Sequence, residues 1–467
     1  MGSPRFRVAE RTSRLEFPAE TVWEWHARPG ALERLTPPWE RTRVISRTGG
    51  IEDGARVELR VRAGPVPVRW VSEHRGVVPG REFRDEQIEG PFVHWVHLHR
   101  IEPDGPNACV YTDRIEYLPP FGVVGGAADQ LFVHSEIERL LAYRHATLKD
   151  DLASHHRWRG VGPLTIAVTG SSGMIGSALV PFLTTGGHRV RRIVRHAPAG
   201  DEIGWNPAAG TLASRDLDGV DAVVHLAGEN LASGRWTASR KRRLLESRAA
   251  GTRTLAEAIA RSAQPPAVLV SASAIGAYGD RGEEILDEQS PAGRGFLADL
   301  CRVWERATEP ARDAGVRVVT PRFGVVLSPA GGALGKMLPA FRAGGGARLG
   351  SGRQWMSVVS IDDLLGAVHH LLMHGAVVGP ANVVTPEPIR NADFTAALAG
   401  ALGRPAVLAV PARALRLAFG EMADETLLVS QRIIPSRLEA AEYRFRHPTP
   451  AAALAHVLGS NGSRRPA

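Results

Sequence analysis

The chain has 467 residues, enough for two or three domains, and its 43% hydrophobic content is ordinary for a folded protein. No run of about 18 uncharged apolar residues occurs, which excludes a helical membrane span. Two cysteines, Cys109 and Cys301, exclude a disulfide framework and fit a reducing cytoplasm. The formal net charge of +8 lies entirely beyond residue 160, because residues 1–160 carry 23 basic and 23 acidic side chains. The excess is scattered, with no basic block interleaved with aromatics, so no nucleic-acid partner is expected. The opening "MGSPRFRVAERTSR" has no apolar core of the kind that directs secretion.

Residues 1–158 form the first predicted domain. A strand over "RFRVAERTSRLEF" leads to helix-start chemistry at Pro18 and Glu20 in "PAETVWEWHARPGALERL". Six alternating runs follow: "RTRVISR", "ARVELRVRAG", "VPVRWVSEHRGV", "REFRDEQI", "FVHWVHLHRIEP" and "ACVYTDRIEYLP". Asp53-Gly54, Pro79-Gly80 and Asp104-Gly105 punctuate them as turns. A long helical pattern closes the segment, with Leu131, Ile137, Leu140, Leu141 and Leu148 near one face. The expectation is an antiparallel sheet wrapped round a C-terminal helix and enclosing an apolar cavity. His97 and His99 share a strand face and His94 does not. They are expected to be packed or solvated histidines, with no metal.

After the linker "RWRGVGP" the pattern changes. "LTIAVTG", "HRVRRIVR", "VDAVVHLAG", "PAVLVSAS" and "VRVVTPRFGVVL" read as five buried strands alternating with helices. That alternation predicts an α/β domain with a doubly wound parallel sheet over residues 163–380. A small helix-rich domain is expected over 381–458, and the last residues, "GSNGSRRPA", are expected to be disordered.

The stretch Thr169, Gly170, Ser171, Ser172, Gly173, Met174, Ile175, Gly176 follows a strand and opens a helix. Glycines there permit a tight turn and close backbone approach, and the helix N-terminus attracts a pyrophosphate. An acidic residue at the end of the second strand would select NAD; here stand Arg195 and His196, which suit the 2′-phosphate of NADP.

Thr-Gly-x-x-Gly-x-x-Gly resembles the extended and atypical short-chain dehydrogenase/reductase superfamily. "HLAGENL", "SRAAGT", "SASAIGAYGD" and "PRFGVVLSPAGGALGKMLPAFRAGGGARLGSGRQWMSVVSIDDL" narrow the resemblance to epimerase family proteins with a small C-terminal domain of unknown function. It implies that Leu226, Ala227, Gly228, Ser271, Arg322 and Gly324 also line the cofactor, and that Gln354, Trp355 and Ser357 face the substrate. Asp362 and Asp363 are expected to cap a helix. The first domain resembles the START-like and polyketide cyclase superfamily in element order, in "VWEWHARPGALERLTPPWE" and in "DEQIEGPFVHWVHLHRIEP". That implies a helix-grip fold with a pocket for a lipophilic ligand.

The superfamily's proton machinery is a Tyr-x-x-x-Lys pair, and none exists here. The residues four places after the five tyrosines are Ile115, Phe121, Thr147, Gly282 and His447. The helix that should carry the pair reads "GFLADLCRVWERA". Ser273 remains at the position of the substrate-polarising hydroxyl, and Arg248 replaces the usual asparagine. The catalytic candidates are therefore Ser273, Tyr278 and Arg248. The expected activity is NADP-linked hydride transfer to a small organic substrate; the alternatives are a sensor that holds NADP(H) without turnover and a ligand carrier in which the nucleotide-binding domain is a scaffold. No oligomeric state is implied.

Overall fold

The computed structural model describes residues 6–40, 42–63, 66–120, 132–231 and 234–460. Leu131 and the last residues, 461–467, lie outside these. The chain divides into two compact units, Met1–Arg157 with Thr184–Gly187, and Trp158–Leu183 with His188–Ala467. Among the described residues no helix is long and apolar enough to cross a membrane.

The first unit is a seven-stranded antiparallel sheet: β1 (Arg7–Leu15), β2 (Arg43–Thr48), β3 (Arg56–Ala63), β4 (Val66–Val78), β5 (Glu82–Glu89), β6 (His94–Pro103) and β7 (Cys109–Leu118). The spatial order is β1-β7-β6-β5-β4-β3-β2. Two short helices, α1 (Ala19–Ala27) and α2 (Ala31–Leu35), separate β1 from β2. The long α3 (His134–His156) lies on the concave face and buries Ile137, Leu141, Leu148 and Leu152, while Leu140 is half-buried. Strict alternation along β7 buries Cys109, Tyr111, Asp113, Ile115 and Tyr117. A period of two therefore carries a carboxylate, Asp113, into the interior with its apolar neighbours.

The second unit is built on parallel strands: β8 (Thr165–Thr169), β9 (Arg189–Val194), β10 (Ile203–Asn206), β11 (Ala222–His225), β12 (Val268–Ser271), β13 (Arg317–Phe323) and β14 (Gly379–Val383). They pair in the order β10-β9-β8-β11-β12-β13-β14. Ile166, Val168, Val224 and Val270 join one core cluster, and Ala167, Val223 and Leu269 join another. Successive residues thus face opposite layers, as a sheet covered on both sides requires. Helices α4 (Met174–Thr185), α5 (Ala238–Ala260), α6 (Phe296–Arg306) and α7 (Ile361–Met373) supply the layers used below.

Two expectations need correction. "VRVVTPRFGVVL" is not one strand: it breaks at Gly324, and Val325–Leu327 leaves the main sheet to pair with Val358–Ser360. A side chain at Gly324 would meet the Ser357 carbonyl oxygen and Val384 Cγ1, each at 2.7 Å, so the chain turns where only glycine fits. The cap of α7 is Ser360, whose Oγ accepts from the Asp363 N–H at 3.0 Å. Asp362 and Asp363 sit buried in the first turn, where their charge suits the helix dipole.

Candidate functional site

The carboxyl edge of the parallel sheet carries the glycine loop. Gly170 has φ +65°, and a Cβ there would lie 2.8 Å from the Leu226 carbonyl carbon. A Cβ on Gly176 would lie 2.2 Å from the Gly170 oxygen and 2.7 Å from Ser171 Cα. Ser171, Ser172 and Gly173 form the turn before α4, whose first residues are Met174 and Ile175. The backbone packs so closely here that a side chain at Gly170 or Gly176 would collide with it.

Thr169 pins this loop to the next strand. Its Oγ1 accepts from the backbone N–H groups of Leu226 and Ala227, both at 3.1 Å, and lies 2.7 Å from His225 Nδ1. With both lone pairs taken, the hydroxyl donates to Nδ1, so Nε2 of His225 carries the hydrogen and donates to Thr252 at 2.9 Å. Burial drives the His225 imidazole down to about 4. Its folded value lies below the ordinary 6.5, so its contribution to stability is complete above pH 6.5 and lost as pH falls toward 4. The loss expected by pH 5 is about 2 kcal/mol. Urea unfolding at pH 7 and pH 5 should show a shallower pH dependence in His225→Gln; an unchanged dependence would exclude this imidazole as its source.

Arg195 and His196 follow β9, whose Ile193 is in register with Thr169. Both are exposed. His196 Nδ1 lies 2.9 Å from the Ala197 carbonyl oxygen, whereas Arg195 has no ion pair among the described residues. One edge thus combines a tight glycine turn, a helix N-terminus and an exposed guanidinium with no ion pair among the described residues, which fits a dinucleotide cofactor.

Beyond β12 the side chains interlock. Ser271 is buried, its Oγ without a hydrogen-bond partner among the described residues, at the end of the strand in register with His225. Ser273 Oγ donates to Glu305 Oε1 at 2.7 Å. Arg322 grips the same carboxylate with two N–H groups, at 2.8 and 2.9 Å. Burial pulls the Arg322 guanidinium down, but the hydrogen bonds and charge of Glu305 outweigh it and hold the group above its ordinary value. Tyr278 is wholly buried, donates to Asn382 Oδ1 at 2.8 Å and has Arg322 over its ring at 4.9 Å. Burial raises its pKa, against the pull of Arg322. Arg248 reaches from α5 to the Glu229 carbonyl oxygen at 3.0 Å and lies over the Trp304 ring at 4.9 Å. Burial lowers its guanidinium to about 10.

Residues 166–384 match the NAD dependent epimerase/dehydratase family, 410–457 match a domain of unknown function (DUF1731), and 15–141 match the polyketide cyclase/dehydrase and lipid transport family. Epimerase family protein Mb2239 of Mycobacterium bovis is 48% identical over 298 residues, 64% of this chain and 98% of that protein. The chain belongs to the epimerase family. The crystal structure of a nucleoside-diphosphate sugar epimerase from Corynebacterium glutamicum has a TM-score of 0.80 at 36% identity, covering 97% of this chain and 90% of the other. Human epimerase family protein SDR39U1, solved with NADPH, has a TM-score of 0.59 at 35% identity, covering 63% and 99%.

In this epimerase-family chain Glu305 is the residue that sequence reasoning missed. Leu297 and Cys301 precede it at four-residue intervals on α6, so an acidic side chain continues an otherwise buried stripe. That acidic break in the stripe was a usable signal. Burial pushes the Cys301 thiol up to about 12, consistent with an inert packed cysteine.

The expected substrate-side residues turn toward the chain itself. Gln354 donates to the carbonyl oxygens of Leu349 and Leu427, both at 3.0 Å. Ser357 Oγ donates to the Gln431 carbonyl oxygen and accepts from the Ile433 N–H, both at 3.0 Å. Trp355 donates to Glu283 at 2.8 Å, with Arg390 and Arg432 over its ring. All three fasten the segment around residues 427–433.

The first unit holds a cavity of about 820 Å³ that is partly open to solvent. Trp70, Phe92, Trp95, Ile137 and Leu140 give it apolar walls, as expected, but Asp85, His97, His99 and Arg144 make part of the lining polar. The lining is mainly apolar, and its polar part arises because Asp85, His97 and His99 fall on the inner face of their strands.

Proposed function

We propose that this chain binds NADP(H) and passes hydride between it and a small organic substrate. The observation that carries the reading is Arg195, an exposed guanidinium without an ion pair among the described residues, at the strand end beside the glycine loop. The NADPH named with the human relative supports the same choice of cofactor. When bound, the nicotinamide supplies or accepts the hydride. Thr169, Gly170, Ser171, Ser172, Gly173, Met174, Ile175 and Gly176 hold the pyrophosphate. Arg195 and His196 take the 2′-phosphate, and Leu226, Ala227, Gly228 and Ser271 border the dinucleotide. Arg322 and Gly324 shape the far side of the crevice. Gln354, Trp355 and Ser357 set the position of the substrate-side loops.

Tyr278, Arg248 or water would carry the proton, and Ser273 would polarise the substrate oxygen. A second reading, a holder of NADP(H) without turnover, is favoured by one observation: the hydroxyls of Ser273 and Tyr278 both donate inward, to Glu305 and Asn382. The cavity of the first unit is read as a site for a lipophilic ligand.

Fluorescence titration is expected to show NADPH binding at least about 100-fold tighter than NADH, with Arg195→Asp removing most of that gap through loss of a charge-assisted pair. Equal affinities for the two cofactors in the unaltered protein would end the NADP assignment. NADPH consumption with a panel of quinones, aldehydes and ketones separates turnover from holding.

A further inference from the structure

The cavity of the first unit contains a side-chain cluster that nucleotide binding does not use, and strand register builds it. Asp85 on β5 lies opposite His97 on β6, and His99 on β6 lies opposite Asp113 on β7. All four share the concave face. Asp85, His97 and His99 each offer one ligand atom, and these atoms lie within 4.8 Å of one another.

The surroundings of these three residues distinguish them from a chance meeting of polar groups. His99 Nδ1 lies 2.7 Å and His97 Nε2 3.1 Å from the same oxygen, Asp113 Oδ1. Asp113 is wholly buried and is itself held by the Tyr111 hydroxyl at 2.8 Å and Arg144 Nε at 3.2 Å. His74 Nε2 lies 2.8 Å from Asp85 Oδ1, leaving Oδ2 turned toward His99 Nε2 at 3.1 Å. Each of the three residues is thus oriented by an outer partner, an arrangement that fixes ring direction and tautomer in histidine metal sites. Asp85, His97 and His99 all line the cavity, so part of the coordination sphere would remain open to a ligand inside it.

We propose that Asp85, His97 and His99 bind a divalent transition-metal ion, of the zinc type, at the wall of the first unit's cavity. Two imidazoles and one carboxylate suit such an ion, whereas calcium or magnesium would demand an all-oxygen shell. The ion takes the place of the Asp85–His99 hydrogen bond, whose hydrogen leaves to solvent because ligands bind deprotonated. Its open positions would accept an oxygen of a cavity ligand, giving the pocket a preference for lipophilic molecules with a carbonyl, enolate or phenolate end. The proposal is independent of the cofactor reading.

The test uses the full chain, stripped with a chelator and titrated with Co²⁺ as a visible-absorption probe and with Zn²⁺ by calorimetry. One equivalent of either ion is expected to bind, with Co²⁺ giving ligand-field bands that Zn²⁺ abolishes. Asp85→Asn and His97→Ala should each weaken binding at least about 10-fold, as should Asp113→Asn through loss of the outer carboxylate. Circular dichroism and urea unfolding report whether each variant remains folded. Absence of uptake by the unaltered protein, or unchanged uptake in a folded Asp85→Asn/His97→Ala double variant, overturns the proposal.

Discussion

Glu305→Ala is expected to destabilise the second unit by about 3–5 kcal/mol, the cost of leaving one partner of a buried ion pair alone. The Arg322 side chain is only 11% exposed, and the Glu305 carboxylate receives two of its N–H groups. The Glu305 side chain is itself 19% exposed, so water can replace the lost carboxylate only in part, and Ser273 loses its acceptor in the same step. The companion variants separate charge from shape. Glu305→Gln keeps an acceptor for Ser273 and loses the charge, so it should fall between the alanine variant and the unaltered protein. Glu305→Leu/Arg322→Met removes both charges and should recover much of the loss, since an apolar pair of similar volume avoids the uncompensated ion. Urea unfolding measures all three. A loss below about 1 kcal/mol for Glu305→Ala would mean that the pair behaves as a solvated surface contact.

Gly176→Ala should reduce NADPH affinity by about 100-fold or more while the sheet stays folded. The added methyl would stand 2.2 Å from the Gly170 carbonyl oxygen and 2.7 Å from Ser171 Cα, and both obstacles are backbone. A flexible side chain could swing away; a loop bonded through Thr169 to Leu226 and Ala227 has to move as a whole. Overpacking of this kind costs about 1–3 kcal/mol in a well-packed interior. Here the strain acts on the turn proposed to meet the pyrophosphate, so binding should suffer more than folding. Fluorescence titration together with thermal unfolding tests this, and an affinity within about threefold of the unaltered protein would show that the cradle has slack its backbone distances deny. Gly173→Ala makes a graded control, because its Cβ would lie 3.2 Å from the same oxygen.

Much of the fold was legible from local pattern. The alternating runs of the first unit became strands because each needs one buried face, and the short apolar runs of the second became parallel strands because helices cover both faces. Two of the seven parallel strands escaped notice. Ile203–Asn206 and Gly379–Val383 are short and lie in glycine- and proline-containing stretches that read as loop. The break at Gly324 was likewise invisible, since nothing near it in sequence announces that Ser357 and Val384 will press against that position.

The amino-acid sequence by itself determined the position of the dinucleotide cradle, the arginine that follows the second strand and the lack of any Tyr-x-x-x-Lys pair. These are properties of neighbouring residues, and the chemistry of a glycine turn or an i, i+4 pair needs no knowledge of distant contacts. Only the tertiary structure decided which candidate groups are committed elsewhere. Ser273 meets Glu305 and Arg322 because a strand end, a helix and a neighbouring strand converge there. Asp85, His97, His99 and Asp113 assemble because antiparallel register aligns three strands, although His97 and His99 alone looked like ordinary packed histidines. Separation along the chain hides such encounters, and burial raises the cost of leaving any one of those charges unpaired.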